Sequence, residues 1–185
     1  MGVMFDIIGS IMVRTAIVLI VLRMNVSLNT MVSQTAIHAS IQQGVSILRD
    51  VMTSDFDRAG LNVSPGTAFI TANSSEIKFS GDIDATPNGS AETVRYYLGG
   101  TDELENTTNP DDRKLYRQIN GGTPLNVANG VVKCVFKYYD YNGSITGSLS
   151  NIKSFSISLT LQDGSAIEGR YPSTYWEQWF FPANL

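Results

Sequence analysis

Proton transfer and nucleophilic attack need histidine, cysteine or paired carboxylates held within reach of one another. This chain is sparing with all three. His38 is its single histidine and Cys134 its single cysteine. No nucleophile motif marks a serine and an aspartate as partners for His38, so a Ser-His-Asp arrangement is not expected. Cys134 lies inside the most apolar stretch, residues 131–139, and reads as a core side chain. A lone cysteine cannot form an internal disulfide, which excludes a disulfide scaffold. Two acidic fragments, Asp82-Ile-Asp84 and Asp140-Tyr-Asn-Gly143, look like pieces of calcium loops. Neither has the full carboxylate spacing, and turn formation accounts for both. Asn73, Asn88, Asn106 and Asn142 each open an Asn-x-Ser/Thr triplet, which chance explains in so Asn- and Ser-rich a chain. The expectation is therefore no catalytic residue, no cofactor and no metal.

Charge narrows the partners further. Thirteen basic residues against seventeen acidic ones give a net charge of -4, and the basic residues are scattered. Such a pattern offers no electrostatic footprint for nucleic acid. With 185 residues, 43% of them hydrophobic, the chain has enough apolar material for one domain with a proper core.

The elements that position these residues begin with an apolar rod. Residues 7–22 read IIGSIMVRTAIVLIVL, apolar all round, which for a helix means burial on every side. A bilayer span takes roughly 20 apolar residues. This rod reaches that length only by including Asp6 near its start, with Arg14 near its middle, where an arginine costs about 2.5–3.5 kcal/mol on insertion scales. Asp6 and Arg14 are separated by about 12 Å along a helix, too far to pair within it. They are expected to pair between helices staggered by that rise, with Phe5, Ile11 and Ile17 forming the surrounding apolar contact. The alternative is that Arg14 snorkels to an interface and Asp6 simply favours a helix N-terminus. A signal peptide fits poorly, because a basic leading region is missing, Arg14 splits the apolar stretch and no small-residue cleavage site follows.

Past Leu22 the pattern becomes amphipathic. Leu28, Met31, Val32, Ile37, Ile41, Val45, Leu48, Met52 and Phe56 recur at helical spacing, with polar residues filling much of the other face. The stripe ends at Ala59-Gly60, where glycine can close a helix, and no proline lies before Leu61. One continuous helix is expected, its half 1–27 for a membrane or filament core and its half 28–60 for a globular domain spanning 28–185. Strand and turn signals follow over 69–185. Alternating or apolar runs at 76–80, 93–98, 114–119, 131–139 and 152–162 predict one antiparallel sheet with a single buried face. The fold class is α+β: a long N-terminal helix packed on that sheet.

This layout resembles the type IV pilins and the pseudopilins of type II secretion, closest to the larger minor subunits, the PilW-like and J-type pseudopilins. The likeness is carried by Leu48-Arg-Asp-Val-Met-Thr-Ser-Asp-Phe-Asp-Arg-Ala-Gly60, Glu92-Thr-Val-Arg-Tyr-Tyr-Leu98, Lys114-Leu-Tyr-Arg117 and Phe136-Lys-Tyr-Tyr-Asp-Tyr-Asn-Gly143, in that order along most of the chain. Such subunits carry a basic leader ending in Gly and a glutamate at the fifth position of the mature helix. Here Phe5 and Asp6 follow Met1-Gly-Val-Met4. Either Asp6 stands in for that acid, or leader cleavage does not occur.

The resemblance implies a structural subunit, not an enzyme. It would be inserted in the inner membrane with its domain extracytoplasmic and would polymerise with copies or related subunits into a cell-surface or periplasmic filament. The alternative is a singly anchored binding or adhesion domain that never polymerises. A last feature is the aromatic tail, residues 171–181. Its Tyr175, Trp176, Trp179 and Phe180 read either as a lid over the core or as a contact patch for a neighbour.

Overall fold

The computed structural model describes residues 2–84, 89–167 and 169–185, with the backbone alone for residues 2–5, 38 and 40. The chain divides into two compact units, residues 1–39 and residues 40–185. A single helix, α1 (Gly2–Phe56), makes up the described part of the first unit and opens the second. Its length follows from the absence of proline. Its end is marked by Gly60 at φ +81°, a left-handed conformation that costs a glycine little. A Cβ at position 60 would also press on the Asn184 carbonyl, so the position is closed to larger residues.

Within the second unit the helix buries Val45, Leu48, Met52 and Phe56, with Ile41 packed beside them. This is the expected stripe, but only its later part. Leu28, Met31 and Val32 are 58–67% exposed, so the stripe becomes core only where residues 40–185 supply partner side chains.

The strands form two antiparallel sheets, where one was expected. The first is a meander of β1 (Phe69–Ala72), β2 (Glu76–Gly81), β3 (Glu92–Leu98), β4 (Leu115–Ile119) and β5 (Leu125–Ala128). The second joins β6 (Val131–Tyr139), β7 (Ser154–Gln162) and β8 (Ser173–Phe180). The division falls at Gly130, with φ +74° and no room for a Cβ against the Gln162 carbonyl. There the chain leaves the edge of the first sheet, and the Gly130 carbonyl accepts from Gln162 N at 2.8 Å as the second begins. Strands β1, β5 and β8 are additions to the sequence expectation, and a short 3-10 turn, Leu149–Asn151, precedes β7.

Period-two alternation selects the inward faces. Ile77 and Phe79 of β2, Val94 and Tyr96 of β3 and Leu115 of β4 are buried, and Phe155, Ile157, Leu159 and Leu161 of β7 do the same for the second sheet. Phe56, the last helical residue, is the hub. Its ring lies 5.6 and 5.3 Å from Phe79 and Tyr96 of the first sheet, and 5.1 and 4.8 Å from Phe155 and Phe180 of the second. Three of these four contacts are edge-on, the geometry aromatic quadrupoles prefer.

One charge cluster enters this core. Tyr96 and Arg117 are cross-strand partners on the inward face of β3 and β4, and Asp55 descends on them from α1. Arg117 donates Nε and Nη2 to the two Asp55 oxygens at 2.6 and 2.7 Å, and Tyr96 donates its hydroxyl to Asp55 Oδ2 at 2.5 Å. The carboxylate holds the Arg117 proton more tightly than usual, and burial, reinforced by the Asp55 charge, pushes the Tyr96 phenol well up. The pair fastens the helix end to the first sheet.

Candidate assembly surfaces

The first candidate surface is α1 within residues 1–39. Every described side chain from 6 to 29 is exposed in the single chain, and about two thirds of these residues are apolar. The helix is long and apolar enough to cross a membrane. Four of its polar side chains bond back onto the helix. Thr15 donates to the Ile11 carbonyl, Thr30 to that of Val26 and Thr35 to that of Met31, each four residues back, while Asn29 donates to the Asn25 side chain. Hydroxyls satisfied this way need no water, so these threonines suit an apolar surrounding.

Asp6 and Arg14 stand on this rod about 12 Å apart and about 80° round the axis from each other. Both are exposed, and neither forms an ion pair among the described residues. Ile11 and Ile17 are 58% and 55% exposed. At 100° per residue they fall about 140° and 20° from Asp6, so the expected assembly residues are spread around the helix and define no single stripe. The Phe5 side chain lies outside the described residues, as does that of His38.

The second candidate is the outer face of the second sheet. Strand β8 alternates, and the alternation divides the aromatic tail. Phe180 is buried and Trp176 packs half-buried against the core, while Tyr175 and Trp179 are 60% and 46% exposed. One face of the strand therefore covers the core, and the other leaves Tyr175 and Trp179 exposed. Opposite β8, the central strand presents Ser154 and Ser156 outward, small residues that leave room for rings from either side. Tyr139 and Trp179 use that room, stacking at 4.5 Å, and Phe181, 71% exposed, continues the row 6.3 Å from Trp179.

Outside these surfaces, Cys134 and the Asp140 fragment are accounted for locally. Cys134 is 5% exposed, and burial raises its thiol to about 12, so it stays protonated at neutral pH. The Asp140 fragment is a turn, its Oδ1 accepting from the backbone N–H groups of Asn142 and Ser144, both at 2.9 Å. Asn73, Asn106 and Asn142 are exposed, and Asn88 lies outside the described residues.

Two groups of residues carry no signal strong enough to find from sequence. The Asp55–Arg117–Tyr96 cluster joins positions 62 and 41 residues apart. An arginine at an inward position of an alternating strand, and an aspartate inside the buried helical stripe, were the available hints. The outer face of the first sheet carries a second chain of contacts. Arg95 pairs with both Glu76 oxygens at 2.9 Å and lies over the Tyr97 ring; Tyr97 stacks on Tyr116, whose hydroxyl donates to Glu103 at 2.6 Å. That last bond raises the Tyr116 phenol to about 12 and lowers the Glu103 carboxyl.

No protein-family model matches the chain, and no curated protein matches it.

Proposed function

We propose that this chain is a pilin-like structural subunit. It is inserted in the inner membrane through residues 1–27 and polymerised through α1, with copies of itself or related subunits, into a type IV pilus-like filament or a type II secretion pseudopilus. The extracytoplasmic part is the domain that begins in the amphipathic half of the helix. The reading assigns it no reaction and no cofactor; its work is mechanical.

The observation that carries the reading is the surface of α1 from 6 to 29. An apolar helix exposed on all sides must be covered by something outside the single chain, either lipid or other helices. Two further features favour helices as the eventual cover. Asp6 and Arg14 are costly in lipid, and each is satisfied when a parallel neighbour is shifted by about 12 Å. The resemblance in segment order supports the same reading.

Immunogold labelling with antibodies against residues 40–185 tests it. Gold along filaments, or at their tips or bases, is expected. Gold confined to the cell envelope, with filaments unlabelled, would instead support a singly anchored binding domain.

A further inference from the structure

The end of β2 leads into an acidic corner that neither assembly surface uses. Gly81 closes the strand against the Arg58 carbonyl, so tightly that a Cβ would collide with it. This close approach lets Gly60 N donate to the Ser80 carbonyl at 2.9 Å and Asp82 N to the Leu61 carbonyl at 3.1 Å, seating Asp82 beneath the turn that follows α1. Asp82 is only 2% exposed. Asn62 donates its amide to Asp82 Oδ2 at 2.7 Å, whereas Oδ1 is buried with no hydrogen-bond partner.

Two further carboxylates converge on the Asp82 carboxylate. One oxygen from each of Asp82, Asp84 and Glu92 lies within 4.8 Å of the others. Glu92 is steered there by the Ile83 N–H, which donates to its Oε2 at 3.1 Å, and Arg58 holds the Ile83 carbonyl. Neither Asp82 nor Glu92 forms an ion pair with a basic side chain among the described residues. A buried carboxylate oxygen without a donor is costly, and the Glu92 carboxylate close by adds repulsion. A bound cation removes both costs at once.

The donors are all oxygen, which selects a hard cation. Calcium accepts several carboxylate oxygens in flexible, irregular arrangements, whereas magnesium demands near-ideal octahedral geometry and keeps several of its waters, so a cluster of three carboxylates favours calcium. We infer that Asp82, Asp84 and Glu92 form a calcium site that ties the residues just after β2 to the first residue of β3, beside the turn ending the helix. The sequence fragment Asp82-Ile-Asp84 supplies two of the ligands, and the third comes from the first residue of β3, beyond the reach of a local motif.

The full chain in non-ionic detergent, stripped with a chelator, is titrated with calcium chloride by calorimetry and melted with and without the ion. A single saturable site of about 0.1–1 mM is expected, and 10 mM calcium should raise Tm by about 3–10 °C, with a smaller shift from magnesium. Glu92→Gln and the exposed Asp84→Asn should each fold without calcium as the unaltered chain does, yet lose most of that rise. Absence of saturable binding up to 10 mM, or a calcium-dependent rise undiminished in both variants, overturns the site.

Discussion

Replacing Asp55 with alanine should be among the most damaging single changes in the globular unit, and its magnitude follows from the geometry. Asp55 is 4% exposed and accepts three hydrogen bonds, two from Arg117 and one from Tyr96. Its removal leaves a guanidinium whose side chain is 17% exposed without its counter-charge, and a buried phenol without its acceptor. Breaking a buried pair from one side costs about 3–5 kcal/mol, most of it the penalty of the stranded partner. For a unit of this size that is a fall in Tm of roughly 6–20 °C. The double replacement Asp55→Leu with Arg117→Leu strands no charge, so it should recover much of the loss, since buried pairs are often matched by apolar packing. The effect should also resist added salt, unlike that of the exposed Arg49–Asp50 pair, because a buried pair is poorly screened. Thermal melts of the full chain in detergent, followed by near-ultraviolet circular dichroism at low and high salt, provide the assay. A loss below about 1 kcal/mol for Asp55→Ala, or a double variant that loses the sum of the two singles, would refute the reasoning.

Stability should decline under alkaline conditions with an identifiable first contributor. Cys134 is raised from 9.0 to about 12, and Tyr96 and Tyr138 lie above the ordinary 10.0, so the folded chain keeps protons that the unfolded chain sheds. Their contribution is therefore complete below pH 9 and falls as pH rises; between pH 8 and 10 the wild type should lose about 1 kcal/mol more than Cys134→Ala in urea unfolding, and an equal loss would contradict this. On the proposed filament reading, Asp6→Arg and Arg14→Asp should each abolish assembly, and the combined reversal should restore it; failure of that rescue would remove the staggered pairing.

The helix and most strands are legible in the sequence because each is encoded by a local period. The proline-free run ending at Gly60 locates α1, and alternation locates β2, β3, β4, β6 and β7. Strand β5 escapes because its four residues, Leu125–Ala128, lack a buried face. Strand β8 escapes for the opposite reason: Tyr175 and Trp179 are apolar on its outer face, which masks the alternation with Trp176 and Phe180. The split into two sheets turns on Gly130 meeting Gln162, a contact between distant positions that no window of sequence contains. An apolar stripe marks a face able to pack, not one that is packed: Leu28, Met31 and Val32 belong to the first unit and are exposed. Asp6 and Arg14 were visible as charges out of place in an apolar rod, whereas the Glu92 contribution to the acidic corner required the β2–β3 pairing.

The central claim, that α1 is covered by other helices, is tested most directly by cysteines placed singly at Ile7 and Ile20, both more than half exposed. After oxidation in intact membranes and filaments, helix-to-helix assembly predicts cross-linked products for at least one position, and longer ladders when both cysteines are present in one chain. Monomers alone from every variant, in cells that make the protein at normal levels, would contradict it.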